Sequence, residues 1–202
     1  MKNTDPRLVN VRRIAVFFDV VKILFVAVLL VGLIRIFVAQ PFVVSGDSMV
    51  PAFQSGDYLI VNELAYKLHV PQRGDIAIFH YPVDPSLFFI KRIIGVPGDT
   101  VVVLGGSIFV KTKEGNTEKL LNEPYISVAD VTQEVGTTTL GSDEYFVLGD
   151  NRNASFDSRI WGPVPSRNIV GRAVARLYPF TGLSLFPGSY TFPSVASTTH
   201  TK

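Results

Sequence analysis

The 202-residue sequence predicts a mostly β protein, with a single N-terminal transmembrane helix followed by one antiparallel β-sheet domain. Three observations carry that expectation. The chain is 47% hydrophobic and 18% charged, and the apolar excess sits in its first forty positions. Behind that run come short stretches of branched and aromatic residues separated by turn signals. The pair Gly-Asp recurs five times, and three of those pairs stand directly in front of a strand-like run.

The helix is read from Ile14 to Gln40, "IAVFFDVVKILFVAVLLVGLIRIFVAQ", with an uninterrupted apolar stretch from Ile23 to Ile34. That stretch alone falls short of the ~20 residues a span needs, so Lys22 and Arg35 must lie near the two interfaces with their heads snorkelling outward. Residues 1–40 carry six Lys/Arg against two Asp/Glu, most of the basic ones at the N-terminal end. The positive-inside rule then places residues 1–13 in the cytoplasm, 14–40 in the plasma membrane as a single-pass anchor, and the rest outside. A cleaved secretory signal and a buried core helix compete with this reading. The first meets a poor small-residue cleavage site in "RIFVAQPF", and the second leaves the basic flank unexplained.

The domain is expected over 41–190. Its strand-like runs are "YLIV", "IAIFHY", "FFIKRIIGV", "TVVVL", "SIFV", "EYFVL" and "ARLY". The Gly-Asp pairs at 56–57, 74–75 and 98–99 read as turns that feed strands. Residues 111–142, with "KTKEGNTEK" and "QEVGTTTLGS", read as a peripheral polar hairpin or insertion, and 191–202 as a disordered tail.

Composition removes several chemistries. With no cysteine there is no disulfide, thiol nucleophile or thiolate metal site, and His69, His80 and His200 stand singly, so no metal centre is expected. The remainder, 41–202, carries thirteen Lys/Arg against fifteen Asp/Glu, which leaves no basic footprint for nucleic acid.

What remains is hydroxyl chemistry. Ser48, in "SGDSMVP", is a turn hydroxyl unless a base takes its proton. Neither His69 nor His80 is well placed to do so. On "FFIKRII", period-two alternation puts Phe89, Lys91 and Ile93 on one face and Phe88, Ile90, Arg92 and Ile94 on the other. Lys91 is either an exposed lysine of an edge strand or a lysine neutralised by apolar neighbours, since burial lowers a lysine pKa by up to ~3–5 units. The polar run "NRNASFDSR" is a solvated loop on composition alone.

Taken together, four segments in order resemble the type I signal peptidase family, bacterial leader peptidases that are membrane serine proteases with a Ser/Lys dyad. These are "SGDSMVP", "RGDIAIFHYP", "KRIIGVPGD" and "GDNRNASFDSR", and with the anchor the resemblance covers about residues 14–178. It implies a β-sheet catalytic domain of the signal peptidase I type, with Ser48 as nucleophile and Lys91 as general base. It also implies that the Ser155 hydroxyl orients the lysine amine, that Asp157 and Arg159 form an ion pair, and that Asp150, Asn151 and Arg152 support the site. The oxyanion hole would use the Ser48 backbone N–H. Gly46 stands where some members add a hydroxyl donor. Phe42, Val44, Met49 and Ile90 fall where the family lines shallow apolar pockets for small side chains. Two departures are Ala52 in place of a threonine after the nucleophile and Asn153-Ala154 in place of a commoner polar pair. By the same resemblance Lys91 places the chain with the bacterial type, because the family's eukaryotic and some archaeal relatives carry histidine there.

The resemblance implies signal-peptide-bearing preproteins as substrates, membrane lipid as the other partner, a monomer in the membrane, and no cofactor. Only eight residues separate Gln40 from Ser48, at most roughly 26 Å of extended chain, which would keep the nucleophile near the bilayer. Two other functions compete. A Ser/Lys self-cleaving regulator would carry a DNA-binding domain where the apolar segment stands. A catalytically silent anchored β module that binds peptides or envelope partners would leave Ser48 unreactive to serine-directed probes.

Overall fold

The computed structural model describes residues 6–37, 39–113, 115, 118–126 and 136–192, with side chains from 16 to 32 and from 40 onward within those ranges. The chain divides into two compact units, Met1–Ala39 and Gln40–Lys202.

The first unit is a helix, α1 (Pro6–Phe37). It opens on a proline, whose missing N–H costs a helix nothing at its first position. It takes in much of the expected 1–13 segment as well as the apolar run. The large apolar side chains described in it, from Val16 to Val31, are exposed. Among the described residues no helix is long and apolar enough to cross a membrane. The expected span over 14–40 therefore has no full-length counterpart there, because side chains at 14–15 and 33–39 lie outside the described set.

The second unit is built of strands. In chain order they are β1 (Ala39–Val43), β2 (Tyr58–Asn62), β3 (Ile76–His80), β4 (Phe88–Gly95), β5 (Thr100–Leu104), β6 (Ser107–Lys111), β7 (Lys119–Leu120), β8 (Gly136–Thr139), β9 (Glu144–Leu148), β10 (Val164–Pro165), β11 (Ile169–Tyr178) and β12 (Ser184–Leu185). The larger sheet runs β1-β2-β11-β3-β4-β9-β10 with β12 added to β11, and the smaller runs β7-β6-β5-β8. Neighbours pair antiparallel, as in β3 with β4, where Ala77 faces Lys91, and β4 with β9, where Arg92 faces Leu148. β4 is thus an interior strand, and Lys91 is not on an edge.

Alternation decides what each face buries. On β3, Ile76 and Ile78 join Val44, Met49, Phe53 and Leu59 in one cluster, while Ala77 and Phe79 join Ile93, Tyr145 and Val147 in another. A sheet covered on both faces explains why "IAIF" reads as a continuous apolar run. A third cluster, with Ile94, Val101, Ile108, Leu140 and Phe146, forms the core of the smaller sheet.

The three strand-feeding Gly-Asp turns share one device. Gly56, Gly74 and Gly98 take φ of 94°, 95° and 86°, where a side chain is strained. The aspartate that follows accepts from the backbone N–H three residues earlier, Gln54 to Asp57, Gln72 to Asp75 and Val96 to Asp99. Each carboxylate also pairs with a distant arginine, Arg176, Arg172 and Arg73 respectively, and Asp75 accepts from the Tyr66 hydroxyl as well.

Residues 111–142 do more than form a peripheral hairpin. They supply β7 and β8 to the smaller sheet, and Leu140 is buried in its core. Residues 127–135 lie outside the described set, as does the expected disordered tail beyond 192. Phe192, assigned to that tail, packs against the smaller sheet's core.

Candidate active site

Ser48 sits in the turn after β1. Gly46 bends the chain at φ 87°, Val50 N–H donates to the Asp47 carbonyl at 3.2 Å, and Phe53 N–H donates to the Met49 carbonyl at 2.9 Å. Met49 and Phe53 pin the turn to the core beneath. The Ser48 backbone N–H has no hydrogen-bond partner among the described residues.

Lys91 projects from the middle of β4, and its side-chain amine lies 2.7 Å from Ser48 Oγ. A second N–H donates to the Ile90 carbonyl at 3.0 Å, and the Phe89 ring centroid is 5.4 Å away. Only 5% of the residue is exposed. Desolvation is the largest influence and pushes the lysine pKa down to about 8, against the carboxylates of Asp157 and Asp150 and with the help of the Arg159 guanidinium. Forty-three positions separate the two residues in sequence.

Both open onto a cleft of about 280 Å³ whose walls are mainly apolar, lined by Phe42, Val44, Ile78, Phe88, Ile90 and Phe156 among others. The Phe42 and Phe88 rings meet edge-on at 5.3 Å. Of the four pocket residues expected from sequence, Phe42, Val44 and Ile90 line this cleft. Met49 does not. It is 1% exposed and packs into the core with Phe53 and Leu59.

The loop 149–159 braces the turn. Asn151 N–H donates to the Ser48 carbonyl at 3.0 Å, and its side-chain amide donates to the Asp47 carbonyl at 3.1 Å. Gly149 backs directly onto the nucleophile turn. A Cβ there would lie 2.4 Å from the Ser48 carbonyl oxygen and 2.2 Å from Ser155 Oγ. Asp157 caps the short helix α2 (Ser158–Trp161), accepts from Gly149 N–H at 3.1 Å, and pairs with Arg159 at 2.8 Å. Arg159 also donates to the carbonyls of Arg152 and Ser155.

Ser155 is placed beside the dyad but not as the resemblance implied. Among the described residues its buried hydroxyl has no hydrogen-bond partner; it packs toward Gly149, and the contacts of the Lys91 amine are Ser48 Oγ and the Ile90 carbonyl. Gly46 is exposed and a Cβ added to it would meet nothing within 4 Å. Ala52 is partly buried against the core cluster that holds Met49. Among the described residues no group of three His, Asp or Glu side chains could hold a metal.

A family model described as signal peptidase, peptidase S26, matches residues 17–178. The chain belongs to the signal peptidase family. The signal peptidase I of Leptolyngbya laminosa is 42% identical over 158 residues, covering 74% of this chain and 74% of its own. That of Bacillus caldolyticus is 37% identical, covering 77% and 88%. A solved signal peptidase I from Enterococcus faecalis is 31% identical and aligns over 52% of this chain and 97% of its own, at a TM-score of 0.43. Family membership makes the chain a peptidase, hence a hydrolase.

Sequence reasoning named Asp150 and Arg152 but missed the three residues packed against them at this signal peptidase site, Arg92, Glu123 and Tyr125. Arg92 and Asp150 form a doubly hydrogen-bonded pair at 2.7 and 2.6 Å with neither side chain exposed. Arg152 is fully buried against Glu123, and Tyr125 lies 3.8 Å from the Arg92 guanidinium, over its ring. The signal for Arg92 was present: alternation had set it on the apolar face with Ile90 and Ile94, where an arginine needs a buried acid.

Proposed function

We propose that this signal peptidase is a membrane-anchored serine endopeptidase that removes N-terminal signal peptides from exported preproteins after small residues. Ser48 is the nucleophile and Lys91 the general base. The observation that carries the reading is the 2.7 Å contact between a buried lysine amine, with its pKa pushed down to about 8, and a serine hydroxyl that lines an apolar cleft.

Neutral Lys91 accepts the Ser48 hydroxyl proton as Oγ attacks the scissile carbonyl carbon. The oxyanion that forms meets the free Ser48 N–H. The Lys91 ammonium then gives its proton to the leaving amine nitrogen, the C–N bond breaks, and an ester to Ser48 remains. Water attacks that ester as Lys91 takes its proton; the C–O bond to Ser48 breaks and Oγ recovers the proton. The mainly apolar lining of the cleft suits uncharged side chains next to the scissile bond. Asp157, Arg159, Asn151 and Arg152 hold the geometry.

Anchoring by α1 is part of the proposal. It is supported by the length of the helix, the exposure of its described apolar side chains and the basic residues before it. The catalytic domain then lies outside the cytoplasm. The contact between Ser48 and Lys91 also speaks against a silent module, since binding alone requires no such pair.

The test is cleavage of a precursor with an A-x-A site by the full chain in detergent. Ser48→Ala and Lys91→Met abolish it while circular dichroism stays native. Full activity in either variant sinks the dyad, and failure of a fluorophosphonate probe to label Ser48 favours the silent module.

A further inference from the structure

The loop 149–159 is gripped on its far side by a strap from the smaller sheet. Residues 121–126, "LNEPYI", follow β7 without helix or strand, yet the Glu123 carboxylate is almost fully buried. It accepts from Arg152 Nη1 at 3.1 Å, from Arg152 Nη2 at 2.5 Å, and from the Tyr125 hydroxyl at 2.7 Å. Arg152 passes the grip onward, its Nε donating to the Gly149 carbonyl at 3.0 Å. The Tyr125 ring meanwhile packs on Arg92, the partner of Asp150. One strap therefore touches both arginines that fix the start of the loop.

The loop has no slack with which to absorb a change there. At its near side Gly149 is so close to the Ser48 carbonyl that a Cβ would clash at 2.4 Å, and Asn151 donates to that same carbonyl at 3.0 Å. A charge-assisted, two-point bond to a carboxylate fixes an arginine far better than a neutral contact does. Displacement of Arg152 is passed through Gly149 to the backbone of the nucleophile.

We propose that Glu123 is a positioning residue for hydrolysis, acting through Arg152 to hold residues 149–155 against the backbone of Ser48. The proposal rests on Ser48 being the nucleophile.

Glu123→Gln keeps the shape and removes the charge. In the full chain kcat for precursor cleavage falls about 10- to 100-fold with KM within about twofold, because a misplacement of about 1 Å costs about 100-fold. Amide exchange accelerates in peptides covering 46–50 and 149–155 and not in those covering β5 and β6. Placed in an Arg152→Met background, Glu123→Gln brings no further loss, since the two act as one unit. A merely structural Glu123 lowers Tm and leaves kcat and the 46–50 exchange at parent values, and that result overturns the proposal. So does a loss that multiplies with Arg152→Met. Where Glu123→Gln does not fold, Glu123→Asp carries the same readouts at smaller size, and parent values for it overturn the proposal equally. Cleavage that survives in Ser48→Ala refutes the nucleophile reading, while the exchange data still decide whether Glu123 holds the loop.

Discussion

Replacing Lys91 with methionine separates what the lysine does for catalysis from what it costs the fold. Its pKa of about 8 leaves about one molecule in ten neutral at pH 7, against about one in 2,500 for an ordinary lysine, so burial multiplies the competent fraction by about 200-fold. The same burial destabilises the folded cation by on the order of 3 kcal/mol relative to the unfolded chain. The folded pKa lies below the unfolded one, so between about pH 8 and 10.5 the unfolded chain binds more protons. Stability from this group therefore rises with pH through that window, and below about pH 8 the cost is fully present. Lys91→Met removes the cost and loses the bonds to Ser48 and Ile90. The expected result is no cleavage together with a gain of about 1–3 kcal/mol at pH 7, a rise in Tm of about 2–4 °C per kcal/mol. The gain shrinks by pH 10. Thermal melts of wild type and Lys91→Met at pH 7 and 10, followed by Trp161 fluorescence, measure it. A Lys91→Met variant no more stable than wild type at pH 7, or an advantage unchanged at pH 10, would refute the desolvated-lysine argument.

The other predictions concern the frame around the dyad. Wild-type kcat/KM for precursor cleavage rises with pH to a midpoint near 8, the titration of the free enzyme's base, and an acid limb near 6 would point to a different group. Arg159→Gln removes the guanidinium that opposes the lysine cation and leaves the carboxylates of Asp157 and Asp150 to favour it, so that limb moves to higher pH; a limb that stays removes Arg159 from control of Lys91. Gly149→Ala drives a methyl into the Ser48 carbonyl and lowers kcat at least about 100-fold, read in single-turnover cleavage. Arg92→Met strands Asp150 in the core and costs about 3–5 kcal/mol in urea unfolding, whereas Arg92→Met with Asp150→Leu recovers most of the loss.

Much of the fold could be read from local pattern, and the rest could not because the deciding partner is far away or the pattern is silent. Asp57, Asp75 and Asp99 each follow a glycine and precede a strand, and each turn forms where the sequence places it. β7 and β8 are "KL" and "GTTT", with no apolar alternation to announce them; their pairing to β6 and β5 makes them strands. Met49 lies in a turn, where no period says which side chain points inward, and the core takes it instead of the cleft. Ser48 and Lys91 could be singled out as residue types. Their contact spans 43 positions, and that of Arg92 with Asp150 spans 58, distances over which a single sequence carries no geometric signal.

The arrangement of charge around Lys91 explains why desolvation prevails there. Two carboxylates, those of Asp157 and Asp150, bear on the amine and favour its cation. Left free, they would hold the lysine protonated and useless as a base. Each is instead bound at both oxygens by an arginine, Asp157 by Arg159 and Asp150 by Arg92, within 2.9 Å in every contact. A paired carboxylate presents little net field to a third group, so the amine feels mainly the apolar walls of Phe89 and its neighbours. The buried ion pairs thus do more than brace the loop: by occupying the acids, they leave Lys91 without a counter-ion among the described residues, where its direct partners are a serine hydroxyl and a backbone carbonyl. A lysine in those surroundings is pushed toward the neutral form that proton abstraction from Ser48 requires.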